Sequence, residues 1–250
     1  MMLGTSDLWE RIEAGKSDPK NGILIVPPPA NTGLLRKTAN SVDLRLGRWF
    51  LAVQQTRSTA IDLRKARSSD EFEASEGKMH YVPFGRSFVI HPGRFVLAAT
   101  LEWVKVPETV GGYITGKSLL GRRGLIIETA AGLHPCFSGC ITLEISNCGE
   151  VPIALVPGMR ICQIFFHRVT RRSPENETSF GGRRRPTFGD YKPDELIVRA
   201  IDATNESNQG NMFGDGEAKY FCDVIYSAAS IRFFLPGASR CRTSLRNSPV

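Results

Sequence analysis

Ser87-Phe-Val-Ile-His-Pro-Gly-Arg-Phe-Val-Leu-Ala-Ala-Thr-Leu101 holds two apolar runs split by His91-Pro-Gly93. Proline fixes φ and lacks an N–H, and glycine accepts left-handed backbone, so this pair stops one strand and turns the chain into the next. The arrangement recurs downstream in Gly112-Tyr-Ile-Thr115, Gly124-Leu-Ile-Ile-Glu128, Cys140-Ile-Thr-Leu-Glu-Ile145, Pro152-Ile-Ala-Leu-Val156 and Ile161-Cys-Gln-Ile-Phe-Phe166. Asn147-Cys-Gly149 and Pro157-Gly158 separate several of these runs. Many short strands at this spacing predict a mainly β fold, a distorted jelly roll or β-barrel.

Upstream, Ser41-Val-Asp-Leu-Arg-Leu-Gly47 sets Val42, Leu44 and Leu46 against Asp43 and Arg45. That is period two, a strand with one buried face, and Trp49 to Val53 extends it past a bulge expected at Gly47. Ile23-Leu-Ile-Val26 reads as a strand stopped by Pro27-Pro-Pro29. Residues 7–14, with Leu8, Trp9 and Ile12 apolar after Ser6 or Asp7 as N-cap, predict a short amphipathic helix. The polar stretch 65–79 reads as an exposed loop. After about residue 170 the character changes. Residues 168–185 carry Arg168, Arg171, Arg172 and Arg183-Arg-Arg185, residues 202–217 read as a linker, and residues 217–235 suit one helix with an apolar face. The expected organisation is a β domain over residues 1–190 and a partly helical C-terminal extension over residues 191–250, whose role the sequence leaves unassigned.

The 250 residues carry 32 Lys+Arg against 25 Asp+Glu, a formal net charge of +7, with 41% hydrophobic and 23% charged residues. This is ordinary globular usage and excludes collagen-like and wholly disordered classes. No apolar run approaches the roughly 20 residues that span a bilayer, and the N-terminus lacks the basic and apolar regions of a signal peptide. A cytoplasmic location is expected, with the six cysteines as thiols. The positive charge suits nucleic acid or a small polyanion such as a nucleotide triphosphate.

Two stretches carry candidate chemistry. Gly116-Lys-Ser-Leu-Leu-Gly-Arg-Arg-Gly-Leu125 lies between strand-like runs. Its glycines let backbone N–H groups approach an anion, and Lys, Ser and Arg add donors. The same stretch also reads as a surface turn with basic decoration. In Ser138-Gly-Cys-Ile-Thr-Leu-Glu144, a carboxylate alternates with apolar residues. Glu144 either faces solvent or occupies a shielded pocket, where desolvation would suit it to proton transfer.

In order along the chain, Asn40-Ser-Val-Asp-Leu-Arg-Leu-Gly47, Phe88-Val-Ile-His-Pro-Gly93, Leu97-Ala-Ala-Thr-Leu-Glu102, the Gly116–Leu125 stretch, Ser138–Glu144 with Asn147, and Pro157-Gly-Met159 resemble the dCTP deaminases of the trimeric dUTPase superfamily. The resemblance covers roughly residues 1–190. It implies a dUTPase-like barrel, a homotrimer with sites at subunit interfaces, and zinc-independent deamination of dCTP to dUTP and ammonia, supplying dUTP for thymidylate synthesis. By position Glu144 falls on the family's general acid/base, and Ser118 and Arg122 on the serine and arginine that steady it. Lys117, Ser118, Leu119, Leu120, Gly121 and Arg122 would line the phosphate side. Thr142 and Leu143 would meet the base through backbone groups, and His134, Phe180 and Arg183 fall at further substrate-contacting positions. Magnesium would ride on the triphosphate, with no protein ligand, and dTTP would be an inhibitor.

The chain also departs from the family pattern. His134 stands before Pro135 where the family has Asp, which puts sugar selection in question, and the segment from Gly124 to His134 is one residue short. Phe137 replaces the commoner Trp. Phe180-Gly-Gly-Arg-Arg-Arg-Pro186 replaces a Tyr-x-Gly-Gln-x-Gly-Pro pattern, so Arg183 stands for Gln, and Arg183 and Arg185 suit a stronger grip on phosphates. His134-Pro-Cys136 with Cys140 fails the zinc-deaminase signature, because three residues rather than two separate the cysteines and no His-x-Glu occurs. Cys140 reads as a small buried hydrophobe. Asp43 reads as a strand-edge carboxylate paired with Arg45 or a turn, or else as a residue ordering the magnesium–phosphate region. A bifunctional or dUTPase-type pyrophosphatase and a non-catalytic nucleotide sensor are the other functions the sequence leaves open. Nucleic acid is a weak alternative, since no nucleic-acid module is recognisable.

Overall fold

The computed structural model describes residues 1–29, 40–54, 60–127, 132–170, 181–196 and 198–199. The chain divides into two compact units, Met1–Lys192 and Pro193–Val250. Most of the second lies outside the described residues, including the linker over 202–217 and the helix over 217–235 expected from the sequence.

In the first unit a helix, α1 (Thr5–Ser17), precedes β1 (Leu24–Val26) and the long β2 (Ser41–Val53). Then come α2 (Ser69–Glu76), β3 (Gly77–Tyr81), β4 (Phe88–Ile90), β5 (Phe95–Lys105), β6 (Val110–Gly116) and a single turn, α3 (Ser118–Gly121). The last strands are β7 (Leu125–Ile127), β8 (Gly132–Leu133), β9 (Ser138–Asn147), β10 (Ile153–Leu155) and β11 (Arg160–Arg168). One antiparallel sheet runs β7-β9-β5-β2-β11-β6-β8, with β1 added to β5 and β3 to β2, while β4 and β10 pair as a separate ribbon. The fold is mainly β, a curled half-barrel, as the strand spacing predicts.

The curl comes from β2. Its first residues pair with β11 and its later ones with β5 and β3, with a register shift between Leu46 and Phe50. Gly47 sits in that shift, as expected. A Cβ there would come within 2.6 Å of the Ala99 carbonyl oxygen, so only glycine lets β2 and β5 approach this closely. Matching shifts occur in β5 between Ala99 and Trp103 and in β11 between Arg160 and Cys162. Bulges raise local twist, and three of them wrap the sheet around one core. That core holds Leu44, Leu46, Phe50, Leu143, Ile145, Ile161, Ile164 and Phe166, each with no exposed surface. Each such side chain contributes about 1.5–3 kcal/mol of transfer free energy.

The N-terminal helix packs Leu8, Trp9 and Ile12 onto this core. It starts two residues earlier than the pattern suggests, and its N-cap is Gly4, without a side-chain cap. Asp7 is no cap because its carboxylate instead takes Arg11 and Arg168, the latter at 2.9 Å. Those two hydrogen bonds outweigh its partial burial and hold its carboxyl below the usual range.

The loop expected over 65–79 is instead α2 and β3. Ser68 and Glu71 form a reciprocal capping box that opens the helix, and β3 pairs along β2 from Gly77↔Val53 to Tyr81↔Trp49. The helix is polar along most of its length, so the apolar periodicity that marks helices is missing. The four described cysteines, Cys136, Cys140, Cys148 and Cys162, are thiols rather than disulfides.

Candidate active site

Two elements carry most of the residues singled out above: the turn after β6 and strand β9. Lys117 leaves β6 in extended conformation and the chain then closes one helical turn, with Arg122 N–H donating to Ser118 O at 3.0 Å. Ser118, Leu119 and Arg122 are exposed, while Leu120 packs on the core. Arg123 donates to Leu119 O at 2.7 Å and ties the turn internally. Gly124 ends it with φ +84°, and a Cβ there would meet Gly149 N at 2.6 Å. No L side chain suits both the backbone angle and the space. The turn therefore fixes one rigid presentation of Ser118 and Arg122.

Beneath the turn lies a carboxylate. Asp43 is 7% exposed, and its Oδ1 accepts from Lys117 Nζ at 2.6 Å while Oδ2 accepts from Arg160 at 3.5 Å. The expected Asp43–Arg45 pair is thus replaced. Asp43 and Arg45, two apart on the strand, share a face, but Arg45 turns to a different acid, Glu102. Glu102 is fully buried, and its carboxylate accepts from Arg45 N–H at 2.8 Å and from Arg45 Nε at 2.6 Å. Burial pushes its carboxyl above the ordinary value, against the pull of the Arg45 bonds. Nearby, Thr100 Oγ1 donates to Glu102 O at 2.8 Å and accepts from Ile141 N–H at 2.9 Å. A threonine hydroxyl thereby replaces a ladder bond lost at the β5 shift, and it fixes the register of β9.

Along β9 burial alternates strictly from Ser138 to Asn147. Gly139, Ile141, Leu143, Ile145 and Asn147 face inward, whereas Ser138, Cys140, Thr142, Glu144 and Ser146 share the half-buried face. Glu144 therefore sits between the two environments weighed from sequence, neither fully solvated nor sealed. Cys140 departs from the expectation of a buried hydrophobe, because it lies on that same half-buried face, and burial pushes its thiol pKa up. Cys162 on β11 takes the fully buried role instead.

Among the described residues, the outer edge of β9 is covered in two places. At one end β7 pairs with residues 145–147. At the other, Gly182 N–H donates to Ser138 O at 2.7 Å and Cys140 N–H donates to Arg183 O at 2.9 Å. Backbone groups of alternate residues point to the same edge, so those of Thr142 and Glu144 point outward between these two covers. Leu143, with no exposed surface, turns its side chain to the core.

His134 is exposed, in the turn between β8 and β9, where its carbonyl accepts from Phe137 N–H at 3.2 Å. Arg183 is half-buried and donates to Thr187 Oγ1 at 2.8 Å. Arg184 and Arg185 lie over the Trp103 and Trp49 rings, at 5.5 and 4.1 Å from the ring centres. Phe180 lies outside the described residues. Among the described residues no three His, Cys, Asp or Glu side chains come together as a metal-binding group. The residues not anticipated from sequence are Glu102, Thr100, Trp49, Trp103 and Thr187. Thr100 and Glu102 stood in the Leu97–Glu102 block and Trp49 in the extension of β2, but nothing local marked their partners, and Trp103 and Thr187 had no signal beyond composition.

Residues 19–169 match the family model described as dCTP deaminase-like. Over 171 residues the chain is 45% identical to a protein of Dictyoglomus turgidum named "dCTP deaminase, dUMP-forming", covering 68% of this chain and 81% of that one. A protein of the same name from Mycolicibacterium vanbaalenii is 39% identical over 196 residues, 75% of this chain and 94% of its own. One named "dCTP deaminase", from Natronomonas pharaonis, is 37% identical over 185 residues, 74% of this chain and 87% of its own.

Proposed function

The chain belongs to the dCTP deaminase-like family, and on that premise we propose that it deaminates dCTP and carries the product on to dUMP. The observation that supports this most is the 45% identity to a protein named for both steps. The sequence resemblance alone gave dUTP as the product. The names of two of these relatives favour the bifunctional alternative.

In this reading Glu144 is the general acid/base. Water attacks C4 of cytosine, and Glu144 takes its proton and delivers it to N3. The carboxylate then takes the second proton from the new C4 hydroxyl and gives it to the amino group, which leaves as ammonia, so one carboxyl closes the cycle unchanged. A half-buried carboxylate can both reach the base and be shielded by it. Ser118 and Arg122 supply donors that steady the reacting water and the carboxylate as charge moves. Thr142 and Leu143 read the base through the backbone. Lys117 through Arg122 line the triphosphate, with Leu119, Leu120 and Gly121 shaping the turn, and His134, Phe180 and Arg183 complete the substrate contacts. In the second step water displaces pyrophosphate from the α-phosphorus.

Magnesium belongs to the substrate here. The turn presents cations, which suit phosphate oxygens rather than a metal ion, so the ion would be held by the triphosphate and would neutralise its charge. We assign no zinc. The protein is further proposed to be a cytoplasmic homotrimer with dTTP as an inhibitor. The trimer is supported by the exposed apolar side chains of Leu119 on the turn and Tyr113 on β6, which a second subunit would cover. Among the described residues no helix is long and apolar enough to cross a membrane.

Incubation with dCTP and magnesium should release ammonia, dUMP and pyrophosphate. The Glu144→Gln variant should release no ammonia while still binding dCTP. Accumulation of dUTP would remove the second step, and full activity of the variant would remove the mechanism.

A further inference from the structure

Residues 181–191 form a strap fixed at both ends and in the middle. Its first residues hydrogen-bond to Ser138 and Cys140 of β9. Its middle lays Arg184 and Arg185 over Trp103 and Trp49, rings supplied by two different strands. Trp103 is itself held by its Nε1–H donating to Ser138 Oγ at 3.1 Å, and Trp49 leans on Tyr81 with ring centres 4.9 Å apart. Its far end is clasped by α2. Ser69 N–H donates to Asp190 Oδ1 at 2.9 Å, Phe188 packs on Phe72 at 4.4 Å between ring centres, and Thr187 is buried against the Ser69 hydroxyl. Arg67 and Tyr191 exchange backbone bonds of 3.0 and 2.9 Å, and Tyr191 Oη donates to Leu63 O at 2.9 Å.

Three adjacent arginines would ordinarily repel one another and stay solvated. Here each has a different partner, and none of those partners is an acid. Their contacts hold backbone in place, two residues from Thr142. At the strand rise, Arg183 O lies about 7 Å along β9 from the outward backbone groups of Thr142.

We propose that this strap is a fixed wall of the slot at Thr142, and that Trp49 and Trp103 are positioning residues that hold it there. The role of the slot in substrate binding rests on the function proposed above, whereas the docking of the strap does not. A cation–π contact holds an exposed guanidinium without desolvating it fully, which suits a wall that must stay ordered beside a polar ligand. Arginine is the side chain for this role, because its planar group stacks where lysine cannot.

The test is limited trypsin digestion of the full chain without nucleotide, read by mass at the bonds after Arg183 and Arg184. The bond after Arg185 precedes Pro186 and is refractory. Trp49→Ala and Trp103→Ala should each speed cleavage at these two bonds about fivefold, the size of one lost cation–π contact. Trp49→Phe, which keeps a ring face, should stay within about twofold of the wild type. With dCTP, the two alanine variants should raise KM several-fold and leave kcat within twofold, since a wall acts on binding and not on the chemical step. If Trp49→Ala fails to fold, Arg185→Ala removes the same contact from the strap side and should give the same acceleration. Wild-type cleavage as fast as that of the alanine variants would overturn the proposal, as would a fall in kcat at constant KM. A protected strap in a protein that releases no ammonia from dCTP would leave the docking standing and remove the deaminase reading.

Discussion

Replacing Asp43 by Asn keeps the shape of the side chain and an acceptor for Lys117 but removes the charge beneath the turn. The Asp43 side chain is 10% exposed, while the Lys117 and Arg160 side chains keep 26% and 52% of their surface. Removing one partner of a fully buried pair costs about 3–5 kcal/mol, and an exposed pair contributes about 0–1 kcal/mol. With a buried anion and cations that reach water, the expected loss is about 1.5–3 kcal/mol. Each kcal/mol shifts Tm by roughly 2–4 °C in a chain of this size, so the melt should fall by about 3–12 °C. Thermal melts of Asp43→Asn, Lys117→Met and the double variant form a cycle. A direct pair predicts a coupling of about 1 kcal/mol, because Lys117→Met should cost less once the carboxylate is gone. The 3.5 Å Arg160 limb is more exposed, so added salt should erode its share first. If Asp43→Asn melts within about 1 °C of the wild type and the two changes simply add, the ion pair does not hold the turn.

Glu102 reverses the usual carboxylate trend. Its folded pKa is raised, so the folded state binds its proton more tightly than the unfolded chain does. The stability this contributes is complete below the unfolded value of roughly 4.3 and is lost as pH rises through the folded value. Urea titrations from pH 4 to 8 should therefore show Glu102→Gln gaining on the wild type as pH rises, and a constant gap would remove the assignment. At the end of the turn, Gly124→Ala should destabilise by about 2 kcal/mol or more, from left-handed backbone together with the contact on Gly149. Gly121→Ala, with open space around the new methyl, should melt at or slightly above the wild-type temperature. Equal effects at the two glycines would refute the close approach at Gly124.

The strand pattern was legible because its signal is local: period two, β-branched runs and Pro-Gly stops are written within a few residues. The bulge at Gly47 was legible for the same reason. The helix over Ser69–Glu76 was not, although its capping box lay open in the sequence as Ser68 and Glu71. What secures it is Phe72 against Phe188, a contact across more than a hundred residues. Asp43 shows the same limit at the site. Alternation gives the face of a side chain and not its partner, and Lys117 is 74 residues away. The arginine run of the strap looked like a phosphate grip because charge is visible in a sequence, whereas the two tryptophan faces beneath it come from other strands.

Strand β2 lies at the centre of the sheet, between β5 and β11, yet Arg45 pairs with Arg160, more than a hundred residues later. During synthesis β2 therefore leaves the ribosome with one of its edges unmatched until the chain has been made past residue 168. Pairings so distant close slowly, and a waiting strand with Val42, Leu44 and Leu46 on one face is open to association with other nascent chains. Yield of soluble protein should thus depend on translation speed and temperature more than the stability of the finished sheet would suggest, and a circular permutant that brings β11 next to β2 in sequence should shorten that exposure.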